Sequence, residues 1–195
     1  VVLATWLLGA VVLSPLLIPI AREALAASYM VPDPAQSRIF SADLLAFFTP
    51  QGFHPLWGEW ARGVSEKFTA TISEYTVFAG YTALALALVA AFARWTGRRG
   101  MKGLWIAVAL VFFILSLGPA LHVGGNTALL PGGGEIPLPY ALLNRLPFLD
   151  IMRSVSRLDA MLMLALGVLA AAGVSAVTRR LNARAPALAR AVPTL

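Results

Sequence analysis

The chain has no cysteine, which excludes disulfide frameworks and thiolate metal sites and leaves the redox compartment unspecified. Charge is scarce. Only 12% of the 195 residues are Asp, Glu, Lys or Arg, against roughly 25% in a typical soluble domain. His54 and His122 are the only histidines and make a poor metal site, so cofactors stay open and no motif supports a divalent metal. The net charge of +6 does not signal nucleic acid, because the basic residues sit beside apolar runs instead of lining a water-exposed stripe.

What the chain has in abundance is hydrocarbon. Hydrophobic residues make up 59% of it and its mean hydropathy is +0.79, so water is not its main solvent. Four apolar runs, at about residues 1–21, 75–93, 103–121 and 158–177, are each long enough to cross a hydrocarbon core of about 30 Å. The expected fold is all-α: a polytopic transmembrane helix bundle of about four spans, with two structured outer loops containing short interfacial helices. The whole chain, 1–195, is expected to be a fragment of one membrane domain, since Val1 already lies inside an apolar run.

A signal peptide is the competing reading of the first run, because Ala24-Leu25-Ala26 mimics a cleavage site. The run lacks a basic leader and exceeds the usual 7–15 apolar residues. Pro15 and Pro19 should kink its end, as membrane helices tolerate. In the last run, Gly167, Ala171, Ala172 and Gly173 favour close approach of another helix.

Lys and Arg beside the spans set the orientation. Residues 94–102 hold Arg94, Arg98, Arg99 and Lys102, residues 178–195 hold Arg179, Arg180, Arg184 and Arg190, and neither segment holds an acid. Both should be cytoplasmic, which places the loops at about 22–74 and 122–156 outside. The expected location is the bacterial cytoplasmic (inner) membrane, with membrane lipid as a partner. Trp57, Trp60, Trp95 and Trp105 fall near boundaries or in loops, where indoles prefer the headgroup region.

In the first outer loop, residues 39–48 read as a short interfacial helix with Ser41 as a possible N-cap. Residues 49–58, with two prolines, two glycines, His54 and Trp57, read as a structured turn. Asp43 and His54 are candidates for acid–base work if the turn brings them together; alternatively Asp43 caps the helix and His54 is an interfacial side chain. Glu59 and Glu66 should be solvated. Glu74 opens the second run, where an acid suits a helix N-terminus, or it points into a polar cavity as a ligand-binding group.

The second outer loop is dense in Gly and Pro between residues 117 and 140, and its glycine run lacks the Lys-Ser/Thr ending of a P-loop. Residues 141–146 suit a short helix ended by Pro147. Arg153 and Arg157 are four apart and share a face if the segment is helical. Two guanidiniums there can hold the phosphate of a lipid-linked substrate, or snorkel to ordinary headgroups, or pair with Asp150 and Asp159.

Four phrases carry a likeness to known proteins: Ser41-Ala42-Asp43-Leu44-Leu45 through Phe53-His54-Pro55-Leu56-Trp57-Gly58; Glu74 ahead of Gly80-Tyr81; Leu117-Gly118-Pro119 ahead of Ile136-Pro137-Leu138-Pro139-Tyr140; and Leu146-Pro147 leading to Arg153 and Arg157. In these the chain resembles the carboxy-terminal half of bacterial polytopic membrane proteins related to the GT-C glycosyltransferases and the YfhO-like membrane proteins. The resemblance implies sugar transfer from a polyprenyl-phosphate donor to a glycan or protein acceptor on the outer face, with an acidic residue as base. It also implies that the main catalytic acid lies upstream, leaving Asp43, His54 and Glu74 as weak catalytic candidates and Arg153 and Arg157 as the donor-phosphate candidates. A non-catalytic envelope scaffold and a transporter or flippase subunit are the alternatives. Spans nearly free of ionisable residues weigh against the transporter.

Overall fold

The computed structural model describes residues 2–26, 33–95, 100–146 and 152–191. In chain order the α-helices are α1 (Val2–Ala26), α2 (Pro34–Ile39), α3 (Gly58–Ser65), α4 (Tyr81–Phe92), α5 (Met101–Ser116), α6 (Tyr140–Leu143) and α7 (Asp159–Ala191), with 3-10 turns at Leu44–Phe47 and Val155–Leu158. No strand occurs among the described residues; three isolated bridges lie in the second loop, one of them pairing Ala120 with Pro137.

Two helical segments, Thr5–Glu23 and Val155–Ala183, are long and apolar enough to cross a membrane. The other two apolar helices are shorter than the sequence runs. At 1.5 Å per residue, α4 and α5 rise about 18 and 24 Å. α4 begins at Tyr81 instead of near 75, because β-branched and aromatic Thr76, Val77 and Phe78 favour extended backbone and Gly80 turns the chain at φ 91°. α5 stops at Ser116, just ahead of Pro119, whose ring disfavours helix at the residue before it. α7, by contrast, runs on beyond residue 177 to Ala191.

α4 and α5 both pack on α7. The packed stripe of α7 is Leu162, Ala165, Leu169, Gly173 and Ala176, all buried, recurring every three or four residues as one helix face requires. A Cβ at Gly173 would overlap the Leu86 carbonyl of α4, so the two backbones touch there. Of the small residues expected to permit close approach, Gly173 does so and Ala172 packs against the core, while Gly167 faces open space and Ala171 is exposed. The outer surfaces stay apolar: Leu88, Phe92, Leu104, Leu110, Leu164 and Val174 are at least half exposed, and the α1 span is unburied.

The two loops expected to lie outside form a single cap over one end of this bundle. Ala42 N–H donates to the Ser116 carbonyl (3.0 Å) and Leu44 N–H to the His122 carbonyl (2.9 Å). Arg38 Nη1 bonds both carboxylate oxygens of Glu135 at 2.9 and 2.7 Å. Phe47 meets Phe113 of α5 edge to face with centroids 4.9 Å apart, a pairing worth about 0.5–1.5 kcal/mol beyond its buried area. Tyr81 Oη donates to the Phe48 carbonyl at 2.8 Å, tying the first turn of α4 to the cap.

The single helix expected at 39–48 is instead the end of α2 followed by the 3-10 turn Leu44–Phe47. Its N-cap is Asp43, which accepts from Leu45 N–H; Ser41 Oγ donates back to the Ser37 carbonyl, a competing local bond common for serine. The helix expected at 141–146 is the one turn of α6, and Pro147 lies outside the described residues.

Candidate functional site

Asp43 is buried, and its carboxylate accepts from three backbone amides: Leu45 at 2.8 Å, Gly124 at 3.0 Å and Gly125 at 2.8 Å. The carboxylate is thus the knot between the loops. Gly125 sits at φ 81°, and a Cβ there would overlap the Lys67 carbonyl, so only glycine brings this amide to Asp43.

His54 does not share these partners. Its Nδ1 accepts from Leu56 N–H and Trp57 N–H, both at 3.2 Å, capping the turn that leads into α3. The other histidine is held more tightly. His122 is buried, with Nδ1 3.2 Å from Thr69 Oγ1, and Nε2 finds no hydrogen-bond partner among the described residues. Burial pushes its pKa below the ordinary value, assisted by Arg38 and opposed by the negative charges of Asp43 and Glu135. Glu59 and Glu66 are exposed.

Glu74, Arg153 and Arg157 come together. They line one cleft of about 730 Å³, with Phe40, Ser154 and Leu158, a size within the usual range of roughly 300–1,000 Å³ for ligand sites. Glu74 stands seven residues ahead of Tyr81, the first residue of α4, so the helix macrodipole does not account for it. Its side chain is buried; Ser154 Oγ donates to Oε1 at 3.2 Å, Ser156 Oγ donates to Oε2, and Arg157 Nη2 lies 3.7 Å from Oε1.

The two arginines share the cleft, though not through a common helix face. Residues 152–154 are non-helical and the 3-10 turn begins at Val155. What places Arg153 is Ser156 N–H donating to the Phe40 carbonyl (3.1 Å), with its guanidinium over the Phe40 ring at 5.7 Å, within cation–π range. Arg157 leaves 76% of its side chain exposed, so most of its donors remain available. Its ion-pair partner is Glu74, not Asp159; Asp150 lies outside the described residues.

Sequence reasoning missed Ser154, Ser156 and Phe40. The Ser-x-Ser step directly before Arg157 was the available signal, because serines beside a buried acid satisfy its oxygens. Among the described residues no three His, Asp or Glu side chains gather as a metal-binding group. Chemically the cleft presents two guanidiniums beside one carboxylate already engaged by hydroxyls. Comparison with protein-family models, with curated proteins and with solved structures returns no match.

Proposed function

We propose that this chain forms four spans of a bacterial inner-membrane protein whose outer cleft holds the phosphate of a lipid-linked substrate. The activity served is transfer of a sugar from a polyprenyl-phosphate donor to a glycan or protein acceptor. The observation that carries the reading is the convergence of Arg153 and Arg157 on one cleft, where paired guanidiniums suit phosphate oxygens through charge-assisted, bidentate bonds.

Three further features support it. Leu158 on the cleft, at the end of the 3-10 turn that leads into α7, is followed by Leu162 and Leu166 of α7, which line an apolar groove of about 180 Å³ with Phe47, Phe48 and Phe113; a headgroup site followed by a tail groove along this segment suits an amphiphile. Phe53, Leu56, Trp57 and Trp60 are more than half exposed on the outer turn, the composition of an interfacial anchor. The shorter α4 and α5 fit as spans because irregular backbone at membrane depth is tolerated where protein buries it, and Val77, ahead of α4, is buried.

This reading assigns donor-phosphate binding to the chain and not the catalytic base, since Asp43, His54 and Glu74 are each engaged in holding backbone or hydroxyl groups. The same engagement favours, as the second reading, a non-catalytic envelope scaffold. Sugar transfer from radiolabelled polyprenyl-phosphate donors in proteoliposomes separates the two. Arg153→Ala with Arg157→Ala should reduce transfer by at least 100-fold if each lost phosphate contact costs about 1.5–3 kcal/mol. Transfer unchanged in a folded variant removes the arginine site, and no transfer by the parent protein across a donor panel leaves the scaffold.

A further inference from the structure

At the opposite end of the bundle, the close of α4 and the later turns of α7 enclose a second cleft of about 390 Å³, lined by Arg94, Arg179 and Arg180 with Phe92, Ala176 and Ala183. It is well built. The Ala90 carbonyl accepts from Trp95 Nε1 at 3.2 Å, the Ala93 carbonyl from Lys102 Nζ at 3.0 Å and the Arg94 carbonyl from Arg179 Nη2 at 3.3 Å. Cations and donors therefore satisfy the carbonyl end of α4, and this consumes one donor of Arg179. The Arg94 and Arg180 guanidiniums make no hydrogen bond or ion pair with another described residue. All nine acids of the chain lie at positions 23–74 and 135–159, so no carboxylate belongs to residues 94–102 or 178–195.

We propose that this cleft binds the phosphodiester headgroup of an anionic membrane lipid, with Arg94 and Arg180 on the phosphate, Arg179 beside it, and Phe92 and the alanine floor against the first carbons of the acyl chains. The inference rests on the membrane reading given above, and is separate from the outer cleft. Three exposed guanidiniums with no described carboxylate paired to them offer free donors to an anion. The alanine floor makes room for one, and Phe92, 83% exposed, offers hydrocarbon contact on the same rim. An anionic lipid supplies phosphate and alkyl chain together, as a free anion does not; basic pockets between helices on the cytoplasmic side are suited to such headgroups.

The test uses the full chain purified in a neutral detergent, with titration of phosphatidylglycerol, phosphatidylcholine or inorganic phosphate read by native mass spectrometry. The wild type should retain phosphatidylglycerol at least tenfold better than phosphatidylcholine, with millimolar phosphate failing to displace it. Arg94→Gln with Arg180→Gln, which keeps the Arg179 bond to α4, should weaken phosphatidylglycerol binding by on the order of 30-fold at about 1 kcal/mol per basic residue. Arg62→Gln with Lys67→Gln, exposed residues that line neither cleft, should leave this binding unchanged. Equal retention of both lipids by the wild type overturns the proposal whatever the variants do; displacement by phosphate alone reassigns the cleft to a soluble anion; loss only in Arg153→Gln with Arg157→Gln moves the lipid to the outer cleft. Release of the parent protein from membranes by alkaline carbonate would instead defeat the membrane reading itself.

Discussion

Replacing Asp43 by Asn tests whether this acid is the knot of the cap or a reacting group. The carboxylate accepts Leu45 N–H and Gly124 N–H on Oδ1 and Gly125 N–H on Oδ2. Asn keeps one acceptor oxygen and sets an NH₂ against a third amide, so at least one buried N–H loses its partner and faces another donor. Leaving one such group unsatisfied costs about 1–3 kcal/mol. Ala removes all three bonds, for a cost of roughly 3–6 kcal/mol if each amide loses about 1–2 kcal/mol. Hydrogen exchange followed by mass spectrometry on the detergent-solubilised protein reads this directly. A local loss of 1–2 kcal/mol is a factor of about 5–30, so peptides covering Gly124 and Gly125 should exchange faster by that factor in Asp43→Asn, while peptides of α7 change little. Unchanged exchange at 124–125 in Asp43→Asn would refute the knot. Normal exchange combined with abolished sugar transfer would make Asp43 a reacting group after all.

Three other outcomes are expected. His122 has a pKa below its ordinary 6.5 when folded, so below that pH the unfolded chain binds more protons than the folded one and stability falls until the folded value is passed; melting temperatures at pH 7.5 and 5 should fall further for the wild type than for His122→Gln, and parallel losses would sink the idea. Gly173→Ala should destabilise by about 1–3 kcal/mol through overpacking against the Leu86 carbonyl, whereas Gly167→Ala, which meets open space, should gain about 0.5–1 kcal/mol of helix propensity; thermal shifts of the same sign in both would contradict the assigned packing face. Trp57 and Trp60 should be quenched by lipids brominated near the headgroup, and the quenched fraction should drop in Trp57→Phe with Trp60→Phe. Full access of both indoles to aqueous iodide would place that turn in water.

Much of the cleft was legible in the chain and for partly mistaken reasons. Arg153 and Arg157 were paired by a helical spacing that the non-helical residues 152–154 do not have, yet both reach the same cleft because Phe40 and Glu74 hold that segment from a distant part of the chain. Glu74 reads in sequence either as a helix-start acid or as a group pointing into a polar cavity; α4 starts seven residues later, at Tyr81, and the acid lines the cleft, bonded by Ser154 and Ser156. His122 reads in sequence only as half of a poor metal site; its burial and its Nε2, unpartnered among the described residues, come from the packing of the loops, because a lone histidine among glycines carries no local pattern.

Sequence alone was enough for the apolar runs and the segregation of basic residues from acids, because hydropathy and charge are local properties that each residue carries wherever it goes; which small residues of α7 meet a neighbour was decided by packing, Gly173 and Ala172 doing so and Gly167 and Ala171 not. Helix ends were partly readable, where Gly80 or Pro119 interrupts the backbone. The joining of the two long loops into one cap was decided by tertiary structure, through bonds such as those between residues 81 to 97 positions apart. Such pairings depend on loop closure and on which buried donors remain unsatisfied once the helices have packed, and neither quantity is carried by a residue's own place in the chain.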